Sequence, residues 1–299
     1  MQMLTKLLPL LQNTTQTAII YRTLIWAICI GEIIMKDFFV KHKRKLLFST
    51  VIIVIIALFT TAGLTGSNVI ENKSVDDIPT CCAPTGKVVA KGIDVSKYQG
   101  DIDFDKVKND GYSFVIIRVG TSQGGKDSTF EKNYKNARKA GLDVGCYYYT
   151  YALNASAAKQ EAKEVLRYIK GKTFDYPVFF DFEFHDLLLY KRVDENTNMI
   201  NTFCKFIKRG GYYPGVYTSN SIYRNYIDNR TLGNKWDFWV ASYIDNTPFS
   251  SKFSKSFSIW QYSSNGVVSG INARVDLNVA YVDYPKIISE FNHEYQKYS

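Results

Sequence analysis

Histidine is scarce in this chain, and its scarcity excludes several kinds of catalytic site. The 299 residues include three histidines, which are His42, His185 and His293. His42 lies in the basic N-terminal segment and His293 lies near the C-terminus, so a three-histidine metal centre is excluded. His185 with nearby acids is a weak candidate for zinc. We therefore predict no metal site and no cofactor.

Cysteine is also sparse, with five residues in the chain. Cys29 precedes the main apolar segment, Cys81 and Cys82 are adjacent in a polar segment, and their spacing does not indicate a disulfide framework. Cys146 falls in a strand pattern and Cys204 in a helical one, so we expect both to be buried free thiols. Neither has an evident histidine partner for nucleophilic catalysis.

Motifs for phosphate binding, serine hydrolysis and nucleic-acid binding are missing as well. No glycine-rich loop follows the first strand pattern, and no Gly-x-Ser-x-Gly elbow is present. The net charge of +9 lies mostly in residues 1–47, and no dense basic stripe follows residue 90. We therefore predict no nucleic-acid partner. The mild positive charge of the remainder suits an anionic polymer such as cell wall.

A long uncharged apolar run, LLFSTVIIVIIALFTTAGL at 46–64, marks the N-terminal part of the chain. As a helix it would be about 28 Å long, close to the hydrocarbon thickness of a membrane. The basic stretch KHKRK at 41–45 precedes it, so residues 1–45 are predicted to be cytoplasmic and the chain after the run extracellular. The run is either a single-pass membrane anchor or a cleaved signal peptide that leaves the rest secreted. A further hypothesis is that translation starts at Met35, in which case residues 1–34 are not translated.

Three further segments follow the apolar run. Residues 65–87 are rich in Gly, Ser, Asp, Pro and Thr and are predicted to be an extracellular linker. Residues 88–290 are predicted to form one domain, followed by a C-terminal tail over 291–299. Strand patterns in this domain occupy 88–95, 112–119, 144–151, 176–184, 213–219, 236–243, 256–263 and 273–278, and helix patterns occupy 104–110, 129–140, 155–170 and 194–209.

The alternation of strands and helices predicts an α/β fold with a parallel sheet. About eight strands in roughly 200 residues favour an irregular (β/α)8-type barrel, at the small end for that fold. The gaps after residues 219 and 243 have little helical periodicity, so some outer helices are expected to be short or missing. An open doubly wound sheet is the alternative, and the lack of a glycine-rich phosphate loop disfavours it.

Four acids fall at the ends of strand patterns, where the active sites of such barrels lie. They are Asp94, Asp181, Glu183 and Asp276. Asp181 and Glu183 are two residues apart on a strand, so their side chains point to the same face. An apolar setting and a neighbouring carboxylate both raise a carboxyl pKa, so one acid keeps its proton while its partner is ionised. Glycosidic cleavage needs such a pair, an acid for the leaving oxygen and an anion for the cationic sugar.

Each of these acids also has an ordinary structural explanation. Most Asp-x-Glu sequences are solvated strand ends, but the phenylalanines that flank Asp181 and Glu183 argue against a solvated face. Asp94 alone is more often a cap for the following turn, and Asp276 is similarly ambiguous. The residues by themselves therefore favour a catalytic Asp181 and Glu183 and leave both interpretations open for the other two acids.

Several ordered motifs resemble glycoside hydrolase family 25, the lysozyme-type muramidases of bacteria and their phages. KGIDVSKYQGDIDFDKVKNDGYSFVIIRVG resembles the opening of the family, FEKNYKNARKAGLDVGCYYYTYA its second and third units, and YPVFFDFE carries its Asp-x-Glu. GYYPGVYTS, DFWVASY and SIWQYSSNGVVSGINARVDLNVAY resemble its closing strands. The resemblance covers about residues 90–288.

The resemblance implies hydrolysis of the β-1,4 bond between N-acetylmuramic acid and N-acetylglucosamine in peptidoglycan. It implies Glu183 as the general acid and Asp181 as the group that stabilises the developing positive charge. Asp94 and Asp276 would complete the acidic floor of the site. Residues at strand ends are expected to line the sugar groove: Tyr98, Tyr149, Tyr151, Tyr217, Trp239, Trp260 and Gln261. For each aromatic residue, core packing is the alternative to sugar stacking.

The predicted partners are peptidoglycan glycan strands and, through residues 46–64, the membrane. The catalytic domain is expected to be a monomer. Two other functions stay open: a non-catalytic membrane protein that binds cell-wall glycan, and a membrane-bound assembly partner in which the apolar run matters most. The presence of all four acids favours catalysis over the first, and cell fractionation would distinguish the second.

Overall fold

A computed structural model describes residues 74–183, 192–243 and 257–298. The chain divides into two units, Met1–Glu71 and Asn72–Ser299, and the described residues all belong to the second. The predicted cytoplasmic segment, the apolar run at 46–64 and the alternative start at Met35 lie outside the described residues. Within the described ranges, no helix is both long enough and apolar enough to cross a membrane.

Strands and helices alternate along most of the described chain. The strands are β1 (Ala90–Val95), β2 (Phe114–Thr121), β3 (Gly125–Lys126), β4 (Asp143–Tyr149), β5 (Val178–Asp181), β6 (Pro214–Ser219), β7 (Asp237–Ala241), β8 (Ile259–Gly266) and β9 (Val275–Ala280). The α-helices are α1 (Phe104–Asn109), α2 (Phe130–Lys139), α3 (Ala155–Tyr168), α4 (Val193–Arg209), α5 (Asn220–Asn225), α6 (Asn229–Gly233) and α7 (Tyr284–Tyr295). Short 3-10 turns lie at Val75–Asp77 and Lys97–Gln99. Each predicted strand and helix overlaps one of these elements.

Eight of the strands form a closed barrel. The strand order is β1-β9-β8-β7-β6-β5-β4-β2, and pairing of β1 with β2 closes the ring. β3 pairs with β2 in an antiparallel hairpin that extends one rim. Neighbouring barrel strands are parallel except at β9, which is antiparallel to both β8 and β1. The predicted barrel is therefore confirmed, but the sheet is mixed rather than parallel throughout.

The direction of β9 follows from the length of chain before it. A parallel connection needs a crossover of about a dozen or more residues. The segment between Gly266 and Val275 is shorter than that, so the chain returns directly and β9 runs against β8. This reversal brings the beginning of β9 to the rim where the parallel strands end.

Side chains alternate between the inside and the outside of the barrel along each strand. On β5, Phe180 faces outward and stacks on Phe203 of α4, with the ring centroids 4.3 Å apart. Phe179 belongs to the cluster of buried residues inside the barrel. Residues that follow Phe179 at steps of two, namely Asp181 and Glu183, therefore point into the barrel mouth.

The outer helices cover the barrel unevenly. Asn154 caps the start of α3, because its side chain accepts a hydrogen bond from the main-chain nitrogen of Ala157 at 2.9 Å. The apolar face of α3 buries Ala158, Ala162 and Val165. Between β6 and β7 the chain forms only the short helices α5 and α6, and β8 joins β9 without a helix. The short helices after residue 219 confirm that part of the expectation, and the gap after residue 243 lies outside the described residues.

The described cysteines are all free thiols. Cys146 on β4 and Cys204 on α4 are buried in the core between barrel and helices, as predicted. Burial raises the pKa of both thiols. Because the thiolate is the nucleophilic form, these cysteines pack the core and have no activated sulfur.

Two predicted segment boundaries differ from the structure. Residues 74–87, the described part of the predicted linker, pack against the barrel: the main-chain nitrogen of Cys82 donates to Oδ1 of Asp237 at 2.8 Å, and that of Thr85 donates to the carbonyl of Tyr281 at 2.8 Å. The predicted tail over 291–299 begins inside α7. Both segments form main-chain hydrogen bonds or pack on apolar surface at the closed end of the barrel. Their composition alone does not indicate these contacts.

Candidate active site

The carboxyl ends of the parallel strands surround a cleft of about 190 Å³. Four acids line this cleft: Asp94, Asp181, Glu183 and Asp276. Asp94 lies near the end of β1, Asp181 ends β5, and Glu183 follows two residues later. Asp276 lies at the beginning of β9, not at a strand end as predicted, and reaches the same rim because β9 is antiparallel. The structure thus brings all four acids together.

Main-chain hydrogen bonds to both neighbouring strands hold the acidic pair in place. The nitrogen of Thr150 donates to the carbonyl oxygen of Asp181 at 3.2 Å, on the β4 side. The nitrogen of Phe182 donates to the carbonyl oxygen of Tyr217 at 2.9 Å, on the β6 side. Because Phe182 is buried in the outer core, Asp181 and Glu183 both turn into the cleft.

Asp181 lies at the bottom of the cleft and is 3% exposed. Burial raises its pKa well above the usual range, the negative charges of Glu183 and Asp94 raise it further, and the nearby Arg118 lowers it. Its Oδ1 atom is buried and accepts no hydrogen bond from the described part of the protein. A buried acceptor without a partner costs about 1–3 kcal/mol. A ligand that presents an N–H or O–H group to Oδ1 would remove that cost.

Glu183 occupies a more open position than Asp181 and is half-buried. Burial raises its pKa, a hydrogen bond with the hydroxyl of Tyr217 lowers it, and the charge of Asp276 raises it again. The pKa of Glu183 lies above its ordinary value. A raised pKa favours the protonated form of this carboxyl group, which can deliver its proton to a ligand in the cleft.

Asp94 and Asp276 lie opposite each other in the register between β1 and β9. Oδ2 of Asp94 accepts hydrogen bonds from Nε2 of Gln261 at 2.9 Å and from Nδ2 of Asn278 at 2.8 Å. Burial raises the pKa of Asp94 well above its usual value, and the charge of Asp276 raises it further. Burial also raises the pKa of Asp276, although its hydrogen bond with Asp94 opposes this. Each carboxyl group thus disfavours ionisation of the other, which limits the negative charge beside Asp181 and Glu183.

Arg118 is a site residue that the sequence patterns did not single out. It lines the cleft from β2, and its Nε and one terminal nitrogen donate to Oδ2 of Asp127 at 2.8 and 2.7 Å. Its guanidinium carbon lies 4.9 Å from the centroid of the Tyr98 ring. The signal for Arg118 is its place in the strand, since it follows Phe114 and Ile116 at steps of two and must share their inward face.

Five of the predicted aromatic residues line the cleft or the space that adjoins it. Tyr98 stands at the rim of the cleft and is 71% exposed, and Tyr149 and Tyr151 contact each other edge to face with centroids 5.2 Å apart. Tyr217 and Trp239 also line the cleft, but both are buried and pack with their centroids 4.3 Å apart. The first three offer accessible ring surface, and the last two form the wall.

Trp260 does not line the cleft, so this part of the prediction is wrong. It is fully buried on the outer side of the barrel, and its Nε1 donates to the carbonyl oxygen of Ser242 at 2.8 Å. Gln261 faces inward but is 2% exposed, and its Oε1 accepts from the hydroxyls of Tyr217 and Tyr243 at 2.8 and 2.6 Å. Adjacent residues on a strand face opposite sides, so Trp260 and Gln261 cannot both reach the same ligand.

Comparison with known proteins gives one family. Residues 93–271 match the family described as "Glycosyl hydrolases family 25". The autolytic lysozyme of Clostridium acetobutylicum is 30% identical over 188 residues, which make up 63% of this chain and 55% of that protein. This chain therefore spans little more than half the length of that relative.

Solved structures show the same barrel. The modular autolysin LytC of Streptococcus pneumoniae, determined in complex with a synthetic peptidoglycan ligand, is 29% identical with a TM-score of 0.56, and the match covers 64% of this chain and 46% of that one. The bacterial lysozyme of Streptomyces coelicolor is 26% identical with a TM-score of 0.54, and the match covers 68% of this chain and 97% of that one. The likeness to the second structure takes in nearly all of that lysozyme.

Proposed function

The chain belongs to glycosyl hydrolases family 25, and from this we propose that its barrel is a peptidoglycan muramidase. The reaction is hydrolysis of the β-1,4 bond between N-acetylmuramic acid and N-acetylglucosamine. The observation that carries the proposal is the pairing of Asp181 and Glu183 in one cleft, each with a raised pKa and one with an unpartnered oxygen.

Glu183 acts as the general acid. The raised pKa of its half-buried carboxyl group favours the protonated form, which gives its proton to the oxygen that leaves when the bond to the sugar carbon breaks. The sugar carbon becomes electron-poor and takes up a water molecule, whose proton returns to Glu183. The same side chain therefore serves once as acid and once as base.

Asp181 stabilises the positive charge that develops on the sugar. Its free Oδ1 accepts a hydrogen bond from the N–H of the sugar's acetamido group, which orients that group toward the reacting carbon. Hydrogen bonding to a carboxylate favours its charged form. Together with the positive Arg118 nearby, substrate binding thus lowers the pKa of Asp181 from the high value that burial imposes.

Asp94 and Asp276 hold the floor of the site. Their raised pKa values limit the negative charge among the four acids, and Gln261 and Asn278 fix the position of Asp94. Tyr98, Tyr149 and Tyr151 offer ring surface to further sugars of the strand, while Tyr217 and Trp239 shape the wall that the reacting sugar contacts.

The barrel works outside the cytoplasmic membrane, where its polymer lies. Residues 46–64 either anchor the chain in the membrane or direct its secretion. The barrel is proposed to act as a monomer. Fractionation of cells and N-terminal sequencing of the mature protein distinguish the anchored from the secreted form.

Mass spectrometry of digested cell walls tests the activity. Full-length protein should release fragments whose new reducing end is N-acetylmuramic acid. Glu183→Gln should lower kcat by about 10²–10⁴-fold, while Glu290→Gln, an exposed glutamate on α7, should leave it unchanged. Equal turnover by Glu183→Gln would overturn the assignment of the acid. Binding of glycan without any cleavage would favour the non-catalytic alternative.

A further inference from the structure

A second groove adjoins the catalytic cleft. It has a volume of about 610 Å³, and its lining includes Lys97, Tyr98, Arg118, Lys126, Tyr149 and Tyr151; we call it the side groove. Tyr98, Arg118 and Tyr149 line both spaces, so the side groove opens directly from the cleft. A group attached to a sugar in the cleft can therefore extend into the side groove.

The two spaces have opposite charge. The cleft holds four acids and one arginine. The side groove holds Lys97, Arg118 and Lys126 against a single carboxylate, Asp127, which is buried and takes up the charge of Arg118. The cleft thus repels an anionic substituent, and the side groove attracts it.

The two lysines supply the net positive charge. Lys97 is exposed, with its ammonium nitrogen 5.6 Å from the centroid of the Tyr98 ring. Lys126 forms an ion pair with Glu131, whose side chain is 56% exposed. An ion pair at the surface contributes little, about 0–1 kcal/mol. Lys126 is therefore available to a second carboxylate in the side groove.

Hydrogen bonds to two buried carboxyl groups fix both walls of the side groove. On one side, the main-chain nitrogen of Lys97 donates to Oδ2 of Asp127 at 3.1 Å, which ties the Tyr98 turn to β3 and the residues after it. On the other side, buried Glu161 of α3 accepts from the hydroxyl of Thr150 and from the nitrogen of Tyr151 at 3.2 Å. The groove is thus formed before a ligand arrives, which lowers the cost of binding.

We propose that the side groove binds the peptide stem carried by N-acetylmuramic acid, with Lys97 and Lys126 contacting its carboxylates. The inference rests on the proposed muramidase function, which places that sugar in the adjoining cleft. The stem is anionic, is attached to the sugar itself, and has apolar side chains that can pack on Tyr149 and Tyr151. The enzyme is then selective for glycan strands that retain their stems.

Steady-state hydrolysis of two matched substrates tests this selectivity. Both are wall glycans freed of phosphate-containing polymers, and an amidase has removed the peptide stems from one. Lys97→Gln/Lys126→Gln in the full chain should raise KM roughly tenfold on the stem-bearing glycan and far less on the stem-free glycan. Lys170→Gln/Lys286→Gln removes the same charge from exposed lysines outside both spaces and should leave both KM values unchanged.

Three outcomes would overturn the proposal. KM could be unchanged on the stem-bearing glycan, or it could rise equally on both substrates. An effect seen only on untreated walls would indicate phosphate groups as the ligand. Equilibrium dialysis with a soluble muramyl dipeptide provides an independent readout: loss of binding in Lys97→Gln/Lys126→Gln supports the side groove even if the wild-type chain cuts no glycan, which would refute only the muramidase function.

Discussion

Replacing Asp127 by asparagine should weaken the fold at the junction of the cleft and the side groove. Oδ2 of Asp127 accepts from two nitrogens of Arg118 at 2.8 and 2.7 Å and from the main-chain nitrogen of Lys97 at 3.1 Å. Asparagine removes the negative charge and one strong acceptor. Breaking a buried ion pair costs about 3–5 kcal/mol, and since the Arg118 side chain is 12% exposed we expect a loss near 3 kcal/mol.

The stability loss in Asp127→Asn should depend on the presence of Arg118. Arg118→Gln removes the cation for which the Asp127 charge matters most, so the double variant should be little less stable than Asp127→Asn alone. A double-mutant cycle should give a coupling of roughly 2 kcal/mol. Urea denaturation of the full chain at pH 7, followed by tryptophan fluorescence, measures all four unfolding free energies.

An exposed ion pair serves as the control. Asp101 pairs with Lys132, and its side chain is 89% exposed, so Asp101→Asn should change the unfolding free energy by no more than about 1 kcal/mol. A loss in Asp127→Asn no larger than that of Asp101→Asn, or additive single losses within about 0.5 kcal/mol, would show that the Arg118–Asp127 pair does not stabilise this junction.

The contribution of Asp127 to the unfolding free energy should depend on pH in a direction that can be measured. Burial opposes ionisation of Asp127, but hydrogen bonds from Thr129, Lys97 and Arg118 outweigh it and hold the pKa below its ordinary value. A lowered pKa in the folded state stabilises the fold above the unfolded pKa of about 4. The difference in unfolding free energy between wild type and Asp127→Asn should therefore reach its full size at pH 7 and shrink as the pH falls through the folded-state pKa.

Two further substitutions test other parts of the barrel. Burial raises the pKa of Asp237 to about 6, so its charge destabilises the fold increasingly between pH 4 and 6, by about 3 kcal/mol at pH 7. Asp237→Asn should remove this pH dependence of the unfolding free energy, measured by urea denaturation. Parallel plots of unfolding free energy against pH for the two proteins would contradict it. Gly92→Ala places a methyl group 2.3 Å from the Phe114 ring and should lower the unfolding free energy by about 1–3 kcal/mol. Gly233→Ala, with open space around the added methyl group, should change it little. Equal melting temperatures of the two variants in thermal unfolding would refute the clash.

The strands and long helices could be predicted because their signals are local. Continuous apolar runs indicate strands covered on both faces, and the apolar face of α3 repeats at helical spacing. The acidic pair could be predicted for the same reason, since Asp181 and Glu183 share a face by strand geometry alone. The family resemblance added roles to these residues but was not needed to place them together.

The errors and omissions mostly concern how strands and segments far apart in the sequence are placed. Trp260 was expected in the groove, but its strand register turns it outward, and Gln261 beside it turns inward. The pair of Arg118 with Asp127 depends on the β2–β3 hairpin, which folds the chain back after β2. Residues 74–87 look like a linker, yet partners far along the chain hold them at the closed end.

Composition and periodicity along the chain thus suffice to identify the barrel strands and the inward carboxyl groups of β5, because both follow from dihedral geometry and burial over a few residues. The complete acidic site required closure of the barrel. Asp94 and Asp276 lie near opposite ends of the domain and become neighbours only when β9 pairs with β1. The electrostatics of the site depend on that closure, because burial and the charges that the closed barrel brings together raise the pKa of each acid.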